Sequence, residues 1–158
     1  MFKVNSKNVA CYDEGLNESL TYDELHKLSQ IEIFKCKRKL IVLILAENSL
    51  GCFVSYFCSI QNNNTTMLIN SEINVNELIN LKKKFKPDLV AIPRRFEKKF
   101  MDRDYDKKRK VFDFVIFKNR KFTKKNIDDR IILLLSTSGT TGTPKWAKIS
   151  KDNLISNM

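Results

Sequence analysis

Histidine, glycine and proline are scarce in this sequence, and each shortage excludes a class of protein. The 158-residue chain contains one histidine, four glycines and three prolines. A single imidazole, at His26, excludes most sites built on histidine, including Ser/His/Asp triads and multi-histidine metal centres. Collagen-like and low-complexity architectures need far more glycine and proline. A cluster of these two residues near the C-terminus is therefore informative.

The overall composition is that of a single folded domain. Hydrophobic residues make up 42% of the chain and charged residues 30%. This length and apolar fraction suffice for one packed core and argue against a disordered tail. The N-terminal residues interleave polar and apolar side chains and lack the apolar region of a secretory signal. We therefore expect a cytoplasmic protein.

The four cysteines contain no C-x-x-C pair and are irregularly spaced. They lie in or beside apolar stretches, at Cys11, Cys36, Cys52 and Cys58. Such cysteines are typical of buried free thiols in a reducing compartment. The sequence predicts neither a disulfide framework nor a cysteine metal site.

One apolar run, residues 40–60, is long enough on paper to cross a membrane. The polar trio Glu47, Asn48 and Ser49 divides it into a β-branched part and a part with small and aromatic residues. A glutamate near a bilayer centre is costly. We therefore favour a buried strand over 40–46 followed by a capped helix over 49–60.

The net charge of +11 comes entirely from residues 82–130. This segment holds 19 Lys and Arg against 8 Asp and Glu, whereas the rest of the chain sums to zero. A nucleic-acid surface is one interpretation, because basic clusters displace counterions from phosphates. A solvated face is the other, and no RNA-binding or DNA-binding module signature accompanies the charge. Nucleic-acid binding by the 82–130 segment stays an alternative.

The order of predicted elements indicates an α/β fold. A short strand or hairpin edge over 4–12 and a turn at 13–15 precede a helix, which begins with the capping-box spacing of Thr21 and Glu24. Strands and helices then alternate, with strands over 40–46, 65–69 and 89–92 and helices over 49–60 and 74–85. Asn74 and Glu77 repeat the capping spacing, and the apolar stripe of the helix they open is Leu78, Ile79 and Leu81. Nearly continuous apolar strands in this order predict a doubly wound, mostly parallel sheet with flanking helices.

The second half of the chain is predicted to add strands to this sheet. Residues 94–110 contain few apolar side chains and are predicted to be a surface helix or loop. A strand is expected over 111–117, and 118–130 reads as a polar connection. Residues 131–135 are a buried strand entering the glycine cluster, and 146–150 are a further strand before a short C-terminal helix.

The segment 136–145, STSGTTGTPK, carries the chemistry. Glycine lets backbone N–H groups converge on phosphate oxygens, hydroxyls add donors and Mg²⁺ ligands, and Lys145 adds a positive charge. A Walker P-loop needs four residues between its glycines and Lys-Ser/Thr after the second, whereas Gly139 and Gly142 are two residues apart. On composition alone, an ordinary Ser/Thr-rich hairpin loop is the alternative.

The string STSGTTGTPKWAKISKDNL, residues 136–154, resembles the phosphate-binding signature of the AMP-forming adenylate-forming enzymes, which include acyl-CoA synthetases and adenylation domains. Upstream, LTYDEL at 20–25 and KPD at 86–88 resemble further family segments. The resemblance implies that residues 1–158 are the N-terminal part of an AMP-binding domain, an incomplete part of the large α/β domain. Trp146 departs from the usual glycine.

The resemblance also implies a reaction and a binding site. In the family, a carboxylate attacks the α-phosphate of ATP to give an acyl-adenylate and pyrophosphate, and a thiol of CoA or a carrier protein then takes the acyl group. Thr140 or Thr141 would reach Mg²⁺. The residues that would hold the ATP phosphates are Thr137, Ser138, Gly139, Thr140, Thr141, Gly142, Thr143 and Lys145.

The catalytic residues of the family would lie beyond Met158. These are its adenine-binding segment, its ribose-binding Asp and its late catalytic Lys. We therefore expect this chain alone to be incomplete and inactive, and a separately encoded remainder is a candidate partner. The carboxylic acid is not specified by this part of the sequence. A non-catalytic relic or interaction module with the same fold is the alternative within the resemblance.

Overall fold

The computed structural model describes residues 6–100, 103–121, 126–137 and 145–156. These residues form a two-stranded sheet, a seven-stranded sheet and flanking helices. The strands are β1 (Val9–Asp13), β2 (Glu18–Thr21), β3 (Ile41–Ala46), β4 (Thr65–Asn70), β5 (Leu89–Pro93), β6 (Tyr105–Val111), β7 (Phe114–Asn119), β8 (Ile131–Thr137) and β9 (Lys145–Ser150). The α-helices are α1 (Tyr22–Leu28), α2 (Leu50–Gln61), α3 (Val75–Phe85) and α4 (Lys151–Ser156), with 3-10 turns at Glu32–Phe34 and Arg94–Lys99.

The large sheet has the strand order β6-β7-β5-β3-β4-β8-β9. Strand β3 pairs in parallel with β4 and β5, and β4 pairs in parallel with β8. The strands β7 and β9 run antiparallel to their neighbours, and β6 and β7 form a hairpin. The predicted α/β class, a mostly parallel sheet with flanking helices, is confirmed.

The central strand β3 is buried on both faces because its sequence is a continuous apolar run. Val42 and Ile44 pack in the core cluster that contains residues of α1 and α2. Leu43 and Leu45 point to the opposite face, where they share a cluster with Leu81 of α3. Apolar side chains at every position, rather than at alternate ones, are what a strand covered on both faces requires.

The helix starts follow local capping chemistry. Thr21 accepts a hydrogen bond from the Glu24 amide (3.3 Å), and the Glu24 carboxylate accepts one from the Thr21 amide (2.8 Å), which confirms the predicted capping box. Ser49 likewise caps α2 by accepting from the Cys52 amide.

The third long helix differs from its prediction in two details. Asn74 caps α3 through the amide of Asn76 at 2.8 Å, rather than through a reciprocal box with Glu77. Leu81 is buried in the predicted stripe, but Ile79 is 39% exposed. A surface helix places a narrow stripe against a sheet, so one neighbour of that stripe faces solvent.

The predictions for 94–110 and 111–117 were wrong in their boundaries. Residues 105–111 form β6, and the chain then turns at Phe112 and Asp113 into β7. Strand β6 is the terminal strand of the sheet, so its central residues are exposed and its charged sequence hides the strand pattern. The residue at the turn, Phe112, has a φ of 51°, a left-handed conformation that a phenylalanine does not signal.

The cysteine prediction holds in part. All four cysteines are free, and Cys52 and Cys58 are buried. Cys36 is exposed and Cys11 is half-buried, because each lies at an edge of the core rather than within it. His26 is exposed on α1, as a surface position requires. Among the described residues, no helix is long and apolar enough to span a membrane, so the spanning interpretation of 40–60 is not supported.

Candidate functional site

The carboxyl ends of four parallel strands meet at one edge of the large sheet. Strands β3, β4, β5 and β8 run in the same direction, so the segments that follow them share this edge. In open α/β sheets, ligands bind at this edge, at the point where successive connections leave to opposite sides. Here that point lies between β3 and β5, because β4 and β5 flank β3 on its two sides.

The crevice between β3 and β5 is closed by an ion pair. Glu47, which follows β3, accepts two hydrogen bonds from the guanidinium of Arg95, which follows β5; one of them, from Nη1 to Oε1, is 2.8 Å long. The Glu47 side chain is largely buried, and Arg95 lies 4.6 Å above the ring of Phe96. Hydrogen bonding to Glu47 raises the pKa of Arg95 above its usual value. Both charges at the switch point are thus already paired.

The N-terminus of α2, which follows β3, is also engaged by the protein's own carboxylates. The amide of Leu50 donates to Oδ2 of Asp13 at 2.8 Å, and the amide of Gly51 donates to Oδ1 of Asp113 at 2.9 Å. Free amides at a helix N-terminus are a common phosphate site. In α2 these amides already donate hydrogen bonds to carboxylates, so they are not free to bind a phosphate.

The two carboxylates come from different parts of the chain. Asp13 ends β1, and Asp113 lies in the turn between β6 and β7. The amide of Leu50, and after it that of Leu16, holds the pKa of the Asp13 carboxyl below its usual value. The negative charges on both aspartates face the positive end of the helix dipole, which stabilises each contact.

The segment 138–144 connects β8 to β9 at the same edge of the sheet. Strand β8 leads into it at its carboxyl end, and β9 returns antiparallel, with Thr137 paired to Lys145 and Ser136 paired to Trp146. The predicted phosphate-binding residues Ser138, Gly139, Thr140, Thr141, Gly142 and Thr143 lie outside the described residues. The side chains of Thr137 and Lys145 do too, but their backbones place the two ends of the segment side by side.

The residue after Lys145 is half-buried and packs against the core. Trp146 packs edge-on against Phe85 of α3, with ring centroids 5.2 Å apart. The strand predicted over 146–150 is confirmed, since β9 spans Lys145–Ser150. The bulky residue that departs from the family pattern therefore fastens the start of β9 to α3, which explains how this chain accommodates it.

Two open cavities lie at the carboxyl edge. One, of about 430 Å³, lies between the β1–β2 turn and the β6–β7 turn and includes Leu16, Arg94 and Asp113 in its wall. The other, of about 360 Å³, lies beside α2 and is lined by Ser49, Cys52, Phe53, Tyr56 and Leu68, among others. Burial raises the pKa of Tyr56.

Metal ligands are sparse. In the part of the chain that the structure describes, no group of three or more His, Cys, Asp or Glu residues could hold a metal ion. Mg²⁺ is commonly held by one or two protein oxygens together with substrate phosphates. The predicted Mg²⁺ ligands, Thr140 or Thr141, lie outside the described residues.

The sequence matches no protein-family model and no curated protein sequence. Its structure is similar to apo MatB from Rhodopseudomonas palustris, with a TM-score of 0.66 and 18% identity over 96% of this chain and 33% of that chain. It is also similar to the o-succinylbenzoate CoA synthetase MenE from Bacillus subtilis in complex with OSB-AMP. This comparison has a TM-score of 0.67 and 17% identity, and it covers 96% of this chain and 41% of that chain. A fatty acyl-adenylate ligase from L. pneumophila, in complex with acyl adenylate and pyrophosphate, gives 0.63 at 19% identity, covering 92% and 27%.

The chain therefore has the fold of the N-terminal third of the adenylate-forming enzymes. The resemblance of the chain to this family is confirmed as a likeness of fold, and the phosphate-binding role of residues 136–145 stays a prediction. The chain spans about a third of the length of the solved structures that it matches.

Sequence reasoning missed the charged contacts that close the rest of the edge. The Glu47–Arg95 pair and the two aspartates at α2 join residues 37 to 62 positions apart in sequence. One local signal was available, because a polar trio directly after a buried strand marks the carboxyl edge. The identity of the partners depends on the sheet order, which the sequence does not state.

Proposed function

We propose that this chain is the N-terminal part of an ATP-dependent, AMP-forming acid–thiol ligase, and that residues 136–145 bind the phosphates of MgATP. One observation carries the proposal: a hydroxyl-rich and glycine-containing segment joins β8 to β9 at the ligand-binding edge of a sheet with this fold. From Thr137 to Lys145 the segment matches every fixed position of the phosphate-binding pattern that it resembles, and Thr143 occupies the variable position of that pattern.

The arrangement of charges at the edge supports this choice of site. The other two candidate anion sites, the α2 N-terminus and the β3–β5 crevice, already hold Asp13, Asp113 and the Glu47–Arg95 pair. A triphosphate carries several negative charges, and the carboxylates of Asp13 and Asp113 would repel it. We therefore assign the phosphate-binding site to the segment between β8 and β9.

Its residues suit the chemistry of pyrophosphate as a leaving group. Backbone amides and the hydroxyls of Ser138, Thr140 and Thr141 would donate to the β- and γ-phosphate oxygens, and Lys145 would offset their charge. Donors that are already oriented stabilise the charge that develops as the α-phosphate bond to pyrophosphate breaks. Thr140 or Thr141 would complete the coordination of a Mg²⁺ ion held mainly by the phosphates.

The whole reaction needs more than these 158 residues. The similar solved structures include a CoA synthetase with an acyl-adenylate and a ligase with acyl adenylate and pyrophosphate. We infer that the complete enzyme activates a carboxylic acid as an acyl-adenylate and passes it to a thiol of CoA or a carrier protein. Another polypeptide segment would supply the acid pocket and the groups for the second step.

Trp146 offers a direct test, because it is the single tryptophan of the chain and directly follows Lys145. Titration with MgATP should change its fluorescence with a saturable curve, and the change should require Mg²⁺. Lys145→Ala should weaken binding by about tenfold or more, since charge-assisted contacts to phosphate contribute about 1.5–3 kcal/mol. Lys148→Ala is the matched control, because Lys148 is an exposed lysine of the same strand.

Thermal unfolding provides a second measurement of binding that does not depend on a change in Trp146 fluorescence. A ligand that binds the folded state raises the Tm, so MgATP should raise the Tm of the wild type and of Lys148→Ala equally and that of Lys145→Ala clearly less at the same concentration. Equal responses in the two variants would overturn the role of Lys145. No response of fluorescence or Tm at millimolar MgATP would overturn phosphate binding and favour a non-catalytic module with this fold.

A further inference from the structure

A basic surface covers the β6 end of the large sheet. It consists of exposed side chains on the 3-10 turn after β5 and on the terminal strand β6, namely Lys98, Lys99, Lys107, Lys108, Arg109 and Lys110. The sequence alone could not show that these clusters meet, because it predicted neither β6 nor its place at the end of the sheet. In the structure Lys107 and Lys110 lie near Glu97 of the 3-10 turn, on the sheet face of Val115 and Phe117, whereas Arg109 lies on the face of Ile116 at the same terminal strand.

Contacts between the two elements hold this surface together. Glu97 of the 3-10 turn forms an ion pair with Lys107 of β6. Hydrogen bonding to Lys107, together with the charges of Lys107, Lys110 and Arg94, lowers the pKa of the Glu97 carboxyl. Three cations thus act on one carboxylate, so the neighbourhood of Glu97 remains strongly positive.

Acidic residues on this surface are too few to neutralise it. Asp106 of β6 is shared between Lys108 and Arg120, and Glu97 is paired with Lys107. Exposed ion pairs of this kind add little stability and are screened by salt. No ion pair engages Lys98, Lys99 or Lys110 within the described part of the chain. These cations remain available to an anionic partner.

The chemistry of the surface favours a nucleic acid over a membrane or a protein. The large exposed hydrophobic residues among the described ones are Val9, Tyr12, Leu16, Tyr22, Val75, Ile79 and Ile155, and none belongs to the basic surface. Membrane-binding faces insert apolar side chains, and protein interfaces are depleted in lysine at their apolar centres. Nucleic-acid interfaces are more polar and much more positive than protein interfaces.

We propose that the basic surface binds the phosphodiester backbone of a nucleic acid without reading its base sequence. Strand geometry spreads Lys107–Lys110 over about 10 Å, and that length of duplex carries about six phosphate charges. No element of the described chain extends from this surface as a recognition helix would, so phosphates rather than base edges are in reach. The proposal is independent of ATP binding by 136–145.

The test compares two triple variants of equal net charge. Lys98→Gln/Lys99→Gln/Lys110→Gln removes cations from the basic surface, whereas Lys27→Gln/Lys35→Gln/Lys151→Gln removes exposed lysines elsewhere. Binding of a fluorescent 20-nucleotide RNA is measured by polarisation between 50 and 200 mM salt, with a 20-base-pair duplex as a second probe. Circular dichroism and Tm establish that each variant is folded.

Wild type and the control variant should bind with similar affinity and a steep salt dependence. The basic-surface variant should lose about two from the slope of log K against log salt on the single strand, since each phosphate contact contributes about 0.7. Equal losses in both triple variants would overturn the assignment of the surface. Absence of binding at 50 mM salt, or tighter binding of poly-glutamate or of anionic vesicles than of either nucleic acid, would overturn the proposal itself.

Discussion

The backbone amide of Gly51 lies 2.9 Å from Oδ1 of Asp113, although the two residues are 62 positions apart in sequence. This hydrogen bond joins the first turn of α2 to the β6–β7 turn. Because β7 pairs with β5, the contact ties α2 to the β6–β7 end of the large sheet. It also neutralises a helix end that would otherwise attract an anion.

Gly51→Ala should destabilise the protein. A Cβ at this position would lie 2.5 Å from Oδ1 of Asp113, 2.7 Å from the carbonyl oxygen of Val111 and 2.8 Å from the ring of Phe114. Alanine gains up to about 1 kcal/mol over glycine within a helix, but forcing atoms into a packed site costs about 1–3 kcal/mol, and a backbone carbonyl moves reluctantly. We expect urea denaturation to show a net loss of about 1–2 kcal/mol.

Gly15→Ala is the control for this substitution. Its Cβ would approach only the Asp13 carboxylate, at 3.4 Å, in an exposed turn. A surface change of this kind alters stability by less than about 0.5 kcal/mol. Equal stability of the Gly51 and Gly15 variants would contradict the close approach described for α2.

Asp13→Asn should lower the Tm at neutral pH. The carboxylate accepts from the amides of Leu50 and Leu16, and these bonds hold its pKa below the usual value. A lowered pKa contributes stability above the unfolded value, about 3.9, and this contribution is lost as the pH falls through the folded value. The Tm difference from wild type should therefore be largest near pH 7 and shrink below about pH 4.

Glu14→Gln removes a neighbouring exposed carboxylate and provides the comparison for Asp13. Its Tm should follow that of the wild type across the same pH range, as measured by circular dichroism. A Tm difference for Asp13→Asn that is constant from pH 7 to pH 3 would show that the charge of Asp13 plays no part.

Asp88→Ala should cost roughly 2–3 kcal/mol of unfolding free energy. Asp88 directly precedes β5, is buried, accepts a hydrogen bond from the Ile41 amide at 2.9 Å and forms an ion pair with Arg38 at 2.5 Å. Removing one partner of a buried ion pair is costly, and the partial exposure of Arg38 reduces the loss. Asp129→Ala changes an exposed aspartate and should cost less than about 0.5 kcal/mol in the same urea titration. Similar losses for both would contradict a structural role for the pair.

Cys36 should react first with a thiol reagent at pH 8. It is exposed, whereas Cys58 is buried and its burial raises its pKa to about 12. The thiolate is the reactive species, so Cys58 should react only when the protein unfolds. Absorbance with Ellman's reagent should show a fast phase that Cys36→Ser removes and Cys58→Ser leaves intact. Rapid modification of Cys58 in the folded protein would contradict the packing of α2.

The interior of the sheet could be predicted from the sequence because its strands carry an unbroken apolar pattern. Strand β3 and the start of β8 have the sequences IVLILA and IILLL, and such unbroken apolar runs indicate strands that are buried on both faces. Strand β6 was missed, since Lys107–Lys110 replaces the buried pattern with exposed charge at the end of the sheet. Burial patterns reveal strands that are covered and fail for an edge strand whose residues are mostly charged, as in β6.

The chemistry of 136–145 could be predicted as a string, but its surroundings could not. The residue types and their spacing are local, whereas the Glu47–Arg95 pair depends on β5 lying beside β3. The same holds for Asp113, which reaches α2 only through the β6–β7 turn. Contacts between residues distant in sequence depend on the order of the strands in the sheet, and no single sequence motif predicts that order.

The order of strands in the sheet has a consequence for synthesis on the ribosome. Strand β3 is central, and the later strands lie progressively farther from it on both sides. Apart from β6, which pairs with β7 as a hairpin and joins the sheet through the pairing of β7 with β5, each later strand finds the strand it pairs with already translated. At about 5–20 residues per second, the nascent sheet can therefore grow outward from its centre without waiting for a distant partner.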